Sequence, residues 1–177
     1  MTRTSTKPRP KPARKAKGRQ QLLQEAERLD WPALLQQIND VRAEWDKAVG
    51  GLPERGDNGV RDGDWSLLDI RSHVAQSLLR RADALSLVAV AKVAEFKRTP
   101  RKIRGKPSPD KVQALTEKGW TDFAAAARTV AKQPERGPII QTQSGPLSAR
   151  QLVALGLEHV REHAGQIRGL RERGTKS

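Results

Sequence analysis

Apolar residues recur at intervals of three and four over four stretches of the chain, the spacing that gathers them on one face of a helix. Leu34, Leu35, Ile38, Val41 and Trp45 mark the first stretch, residues 19 to 49. Asp30-Trp31-Pro32 interrupts it, with Asp30 suited to cap a helix and Pro32 tolerated in a first turn. Gly50-Gly51-Leu52-Pro53 ends it, and residues 54 to 64 read as a polar loop with three glycines. The second helix is expected from Ser66, where Asp69 three residues on resembles a capping box. It is expected to reach Lys97, with Ile70, Val74, Leu78, Leu85, Val88 and Val93 facing inward. The third opens at Ser108-Pro109 and runs through Val112, Leu115, Trp120, Phe123 and Ala127 to about Lys132. The last opens at Ser148, capped with Gln151, and closes at Gly174.

Four such helices of roughly 20 to 30 residues predict an all-α fold, a four-helix bundle. Its connections are long crossovers, which permit parallel as well as antiparallel neighbours. Residues 138 to 142 form a short apolar strip that could be extended without changing the class.

Composition narrows the picture. The chain has 177 residues, many Ala and Leu, no tyrosine and no cysteine. Disulfides, thiolate metal sites and a cysteine nucleophile are excluded. No apolar run approaches the ~20 residues of a membrane span, and the start lacks a signal-peptide core. The expectation is a soluble, cytoplasmic protein with no membrane partner.

The net charge is +14, and residues 2 to 19 carry eight of those units with no acid among them. Alternation of Pro with Lys and Arg leaves this segment unable to pack. The expected division is a disordered basic tail over 1–19, a bundle over 20–173 and a short tail over 174–177. The basic tail suits weak polyanion binding, and a homodimer is a candidate assembly.

The chemistry lies in the histidines. The inward stripe of the last helix is Leu152, Leu155, Gly156, His159, His163, Gln166, Ile167 and Leu170. His159 and His163 stand where a plain bundle would place Leu or Ile. Four residues apart, they project from one face and can reach a common point. The remaining histidine, His73, lies in the second helix. Three neutral imidazoles suit zinc and other divalent first-row metals and leave coordination positions open, as in catalytic sites. Asp69, Glu158 and Glu162 are candidate supports for the ligands, because metal-bound histidines pass their second N–H to an acceptor. Gln166 is a candidate catalytic contact to a metal-bound water, and Arg168 a candidate for holding an anionic substrate or cofactor group.

Asp64-Trp65-Ser66-Leu67-Leu68-Asp69-Ile70-Arg71-Ser72-His73-Val74 resembles the W-[ST]-x-x-[DE]-x-x-x-H segment of DinB-like proteins. That family includes the amino-terminal domain of mycothiol-dependent maleylpyruvate isomerases and the bacillithiol transferases. The run from Glu158 to Arg168 resembles their last helix, with its H-x-x-x-H followed by Gln166-Ile167-Arg168. The resemblance implies a four-helix bundle holding one divalent metal, zinc or nickel most often, on His73, His159 and His163. It implies a low-molecular-weight thiol or a water, activated by the metal, attacking a small electrophilic substrate in a transferase, isomerase or hydrolase reaction. The chain departs from the family pattern at Ser77 and Leu78, where many relatives have an aromatic and an acid. It departs again at Leu157 and Val160, where many have a tyrosine.

Two other function classes compete. A basic nucleic-acid-binding helical protein would use the tail together with Lys97, Arg98, Arg101, Lys102, Arg104 and Lys106, and its affinity would fall steeply with salt. A noncatalytic stress or self-protection bundle would keep the metal and turn nothing over.

Overall fold

The computed structural model describes residues 14–51, 61–62, 65–90, 94–96, 108–133, 140–142 and 145–174. In chain order these form α1 (Arg14–Arg28), α2 (Trp31–Val49), β1 (Arg61–Asp62), β2 (Trp65–Ser66), α3 (Leu67–Ala89), β3 (Ala94–Phe96), α4 (Pro109–Ala131), β4 (Ile140–Thr142) and α5 (Ala149–Gly174). Helices α2 to α5 make the bundle. α3 packs along α4 and also against α5, α2 packs along α5, and α1 adds a further layer on α5.

The helix starts follow local chemistry. Asp30 caps α2, its Oδ1 accepting from Ala33 N at 2.8 Å, and Pro32 sits in the first turn. Ser66 and Asp69 form a complete capping box on α3. Ser108 caps α4, with Pro109 as its first residue. Ser148 and Gln151 exchange bonds at the start of α5, Ser148 N donating to Oε1 at 3.0 Å and Gln151 N to Ser148 Oγ at 3.2 Å. Each such cap satisfies backbone N–H groups that the first turn leaves without partners.

The core holds most of the inward residues the spacing marks, but Leu35, Leu115 and Leu155 are only half-buried, and Leu157 and Val160, outside the marked stripe, are buried. Leu34, Ile38, Val41 and Trp45 from α2 are buried, as are Ile70, Val74, Leu78, Leu85 and Val88 from α3. Val112, Trp120, Phe123 and Ala127 from α4 join them, with Leu152, Leu157, Val160, Ile167 and Leu170 from α5. α3 and α4 approach closely at Gly119, where a Cβ would lie 3.1 Å from the Ala75 carbonyl oxygen and from Leu78 Cβ.

Three boundaries differ from the sequence expectation. The tail predicted over 1–19 is helical from Arg14, because the last proline is Pro12 and Lys, Arg and Ala are strong helix formers. Residues 1–13 lie outside the described residues. The second helix stops at Ala89 instead of reaching Lys97, and β3 takes its place. β3 runs parallel to β4, Ala94 facing Ile140 and Phe96 facing Thr142. That partner lies 46 residues downstream of Ala94, so the competing backbone bonds leave no mark in local periodicity. The polar loop contains β1, paired antiparallel with β2 through Arg61–Ser66 and Asp62–Trp65. Val93, the basic connection of residues 97–107 and the terminal residues 175–177 lie outside the described residues. Among the described residues no helix is long and apolar enough to cross a membrane.

Candidate metal centre

His73 stands two turns into α3, on the side that packs against α5, and His159 and His163 occupy successive turns of α5. The three rings meet between the two helices. His73 Nε2 lies 3.1 Å from His159 Nε2. Ring centroids are 5.0 Å apart for His73 and His159, 5.2 Å for His73 and His163, and 4.5 Å for His159 and His163. One ring nitrogen from each falls within 4.8 Å of the other two. All three side chains are half-buried. They are the sole histidines in the chain, and they stand together.

Two neighbours orient them. His163 Nδ1 donates to Gln166 Oε1 at 2.8 Å, which puts the proton on Nδ1 and leaves the Nε2 lone pair for the shared point. Gln166 is thus bonded to His163. Trp65 stands edge-on to His73 at 5.0 Å and lies nearly parallel to His163 at 6.1 Å. The β1–β2 pair and the Ser66 cap hold that indole beside the rings.

The electrostatics favour the neutral form of His159 and His163. His159 is pushed down to about 2, first by burial, then by the Arg81 guanidinium, then by its two histidine neighbours. Burial also lowers His163, partly offset by the Gln166 bond and the Glu162 carboxylate. A neutral imidazole offers a lone pair without first losing a proton, so the set fits a divalent ion at neutral pH.

The depressed His159 has a stability consequence. The unfolded chain protonates this residue below its ordinary value of 6.5, whereas the folded protein does not until about pH 2. Stability is therefore complete above pH 6.5 and falls as the pH drops, by roughly 1.4 kcal/mol per unit and about 2 kcal/mol by pH 5. Urea unfolding of the metal-free protein at pH 7 and pH 5 measures the loss. His159→Gln, which cannot titrate, should lose about 2 kcal/mol less between the two pH values. Equal losses in both proteins would refute the assignment.

The other residues singled out in the sequence lie on α3 and α5 around these rings. Asp69 Oδ2 accepts from Ser66 N at 3.0 Å and from Ser66 Oγ at 2.7 Å, so this carboxylate serves the helix cap. Glu158 is half-exposed and Glu162 exposed, the latter acting on His163 through its charge. Arg168 is exposed on α5. Sequence reasoning missed two residues of the site. Trp65 was legible as the residue before the Ser66 cap, but no role followed from that place. Arg81 was legible as a cation three residues after Leu78 and four before Leu85, on a stripe that is otherwise apolar.

Comparison with known structures settles the architecture. YfiT from Bacillus subtilis, described as a probable metal-dependent hydrolase with an unusual four-helix bundle topology, superposes with a TM-score of 0.67. The match covers 82% of this chain and 87% of YfiT at 18% identity. The mycothiol-dependent maleylpyruvate isomerase superposes with a TM-score of 0.59 at 16% identity, over 79% of this chain and 61% of that one. The fold is that of the DinB-like proteins. No protein-family model matches the sequence, and no curated protein matches it significantly. The DinB-like bundle is thus recognisable here by three-dimensional arrangement and by the two short motifs around the histidines.

Proposed function

We propose that the protein is a divalent-metal-dependent enzyme that holds its ion on His73, His159 and His163 and acts on a small electrophilic substrate. The observation that carries this reading is the convergence of all three histidines of the chain between α3 and α5, with Gln166 setting the tautomer of one. The likeness to a probable metal-dependent hydrolase and to a thiol-dependent isomerase supports it. A divalent ion held there supplies Lewis-acid activation of a water or a thiol at neutral pH. The chain's own residues do the rest. His159 stays neutral because burial and the Arg81 charge keep protons off it. Gln166 holds His163 in the binding tautomer, and Trp65 covers one side of the rings.

Purified protein stripped with chelator and reloaded is expected to hold one Zn²⁺ or Ni²⁺ per chain. A chain that takes up none at micromolar metal overturns the proposal. Hydrolysis that needs metal alone marks water as the nucleophile, whereas turnover that needs metal and a low-molecular-weight thiol marks the thiol. Metal held with no turnover of either kind favours a noncatalytic bundle. Gln166→Leu removes the acceptor for His163 Nδ1 and is expected to weaken zinc by about 10- to 100-fold, as losses of such partners do. A competition titration against a chromogenic chelator reads the change, and unaltered affinity would show that the bond does not matter.

A further inference from the structure

Trp65 stands immediately before the Ser66 cap and is half-buried, whereas Trp45 and Trp120 in the core are each 1% exposed. An apolar residue at that place ordinarily staples the helix entry by packing on the fourth helical residue, here Ile70. The indole of Trp65 reaches further. It stands edge-on to His73 at 5.0 Å with the planes at 84°, and it lies within 20° of parallel to His163 at 6.1 Å. It therefore meets one imidazole from α3 and one from α5. Edge-to-face and offset parallel are the two arrangements that aromatic rings prefer.

The two imidazoles belong to different helices, so nothing within either helix sets the tilt of one ring against the other. A flat indole perpendicular to one and parallel to the other does so, and the imidazoles cross at 74°. Each of the two also has a polar partner, His159 for His73 and Gln166 for His163. The indole itself is placed by backbone. Asp62 pairs with Trp65 and Arg61 with Ser66, and the Ser66–Asp69 box fixes where α3 begins. Side chains aimed in advance lose less freedom when a ligand arrives, which raises affinity without a new contact.

We propose that Trp65 is a positioning residue that holds His73 and His163 in converging orientations, and that metal loading in turn tightens the β1–β2 pair that carries it. The second half follows from the first, because a coupling between two sites acts equally in both directions. This deepens the metal-dependent reading and rests on it for the ion.

Trp65→Leu keeps an apolar side chain for the staple and removes the ring, while Trp65→Phe keeps a ring. Zinc affinity is read by chelator competition at a temperature where circular dichroism shows both variants helical. Trp65→Leu is expected to weaken zinc by about tenfold, the lower end of the cost of losing a group that orients a ligand. Trp65→Phe should weaken it by no more than about threefold. A staple alone would lower the metal-free stability of Trp65→Leu and leave its zinc affinity unchanged, and that result overturns the proposal. Equal losses of affinity in the two variants overturn it as well.

Ring ¹⁵N shifts of the metal-free protein give a readout independent of the ion, because they report the tautomer of each imidazole. His163 is expected to stay in the Nδ1–H form in the wild type and in Trp65→Phe, and to mix tautomers in Trp65→Leu. One tautomer in all three proteins counts against the proposal. Should Trp65→Leu fail to fold, amide exchange of the wild type still decides. Zinc should slow the amides of the β1–β2 pair by about the same tenfold factor, and unchanged exchange rejects the coupling. Wild-type protein that takes up no zinc would instead end the metal reading, and the tautomers then judge Trp65 alone.

Discussion

Replacing His159 with alanine is expected to weaken zinc by at least about 100-fold while leaving the bundle folded. Losing a group that only orients a ligand costs about 10- to 100-fold. Losing the ligand itself should cost no less than the upper end of that range. His159 is the candidate ligand most tied to the others, with its Nε2 3.1 Å from His73 Nε2 and its ring nearest to that of His163. Two nitrogens remain in His159→Ala, one from each helix, and water must complete the coordination. The fold should survive, because a half-buried imidazole whose charged form is strongly disfavoured contributes little to stability at neutral pH. Zinc affinity by chelator competition, set beside circular dichroism and urea unfolding of the metal-free variant, tests both halves. Affinity within a few fold of wild type would remove His159 from the site. A variant that cannot fold without metal would show that the ring carries the packing instead.

Phe123→Ala is expected to destabilise the bundle by about 3–5 kcal/mol, as deletion of a buried phenyl ring does. The ring is fully buried, and its Cζ reaches towards Gly156 at the contact that also seats Arg81. Alanine there leaves a void between α4 and α5 that tightly packed neighbours cannot collapse into. For a domain of this size each kcal/mol shifts the melting temperature by about 2–4 °C, so the midpoint should fall by roughly 10 °C. Zinc stoichiometry should stay at one per chain, because the three histidines sit on α3 and α5 rather than on α4. Thermal unfolding of the metal-free protein measures the first effect and metal analysis the second. A midpoint within about 2 °C of wild type would contradict the packing described here. Phe123→Leu keeps most of the volume and should recover most of the loss.

Much of the architecture was written locally. Asp30, Ser66, Ser108 and Ser148 marked the four helix starts, because a cap and its partner lie within three residues of each other. The inward faces of the helices followed from spacing, for a helix turns by the same amount at every residue. The pair His159 and His163 was legible for the same reason. The two motifs around the histidines pointed to the DinB-like bundle, and the superpositions bear out that fold.

Features that depend on distant partners were not legible. The end of α3 at Ala89 reflects backbone pairing between β3 and β4, which no local window contains.

Sequence by itself determined the helices, their inward faces and the pairing of two imidazoles one turn apart, since these follow from bonds and spacings within a few residues. Tertiary structure alone decided that His73 joins that pair and that the indole of Trp65 covers it. It also decided that Arg81 is buried against Gly156 while Arg168 is exposed. Those outcomes depend on how α3 and α5 pack. The bare Cα of Gly156 leaves the room the guanidinium needs, and a side chain's neighbours across that contact are set by the whole bundle, not by its own segment.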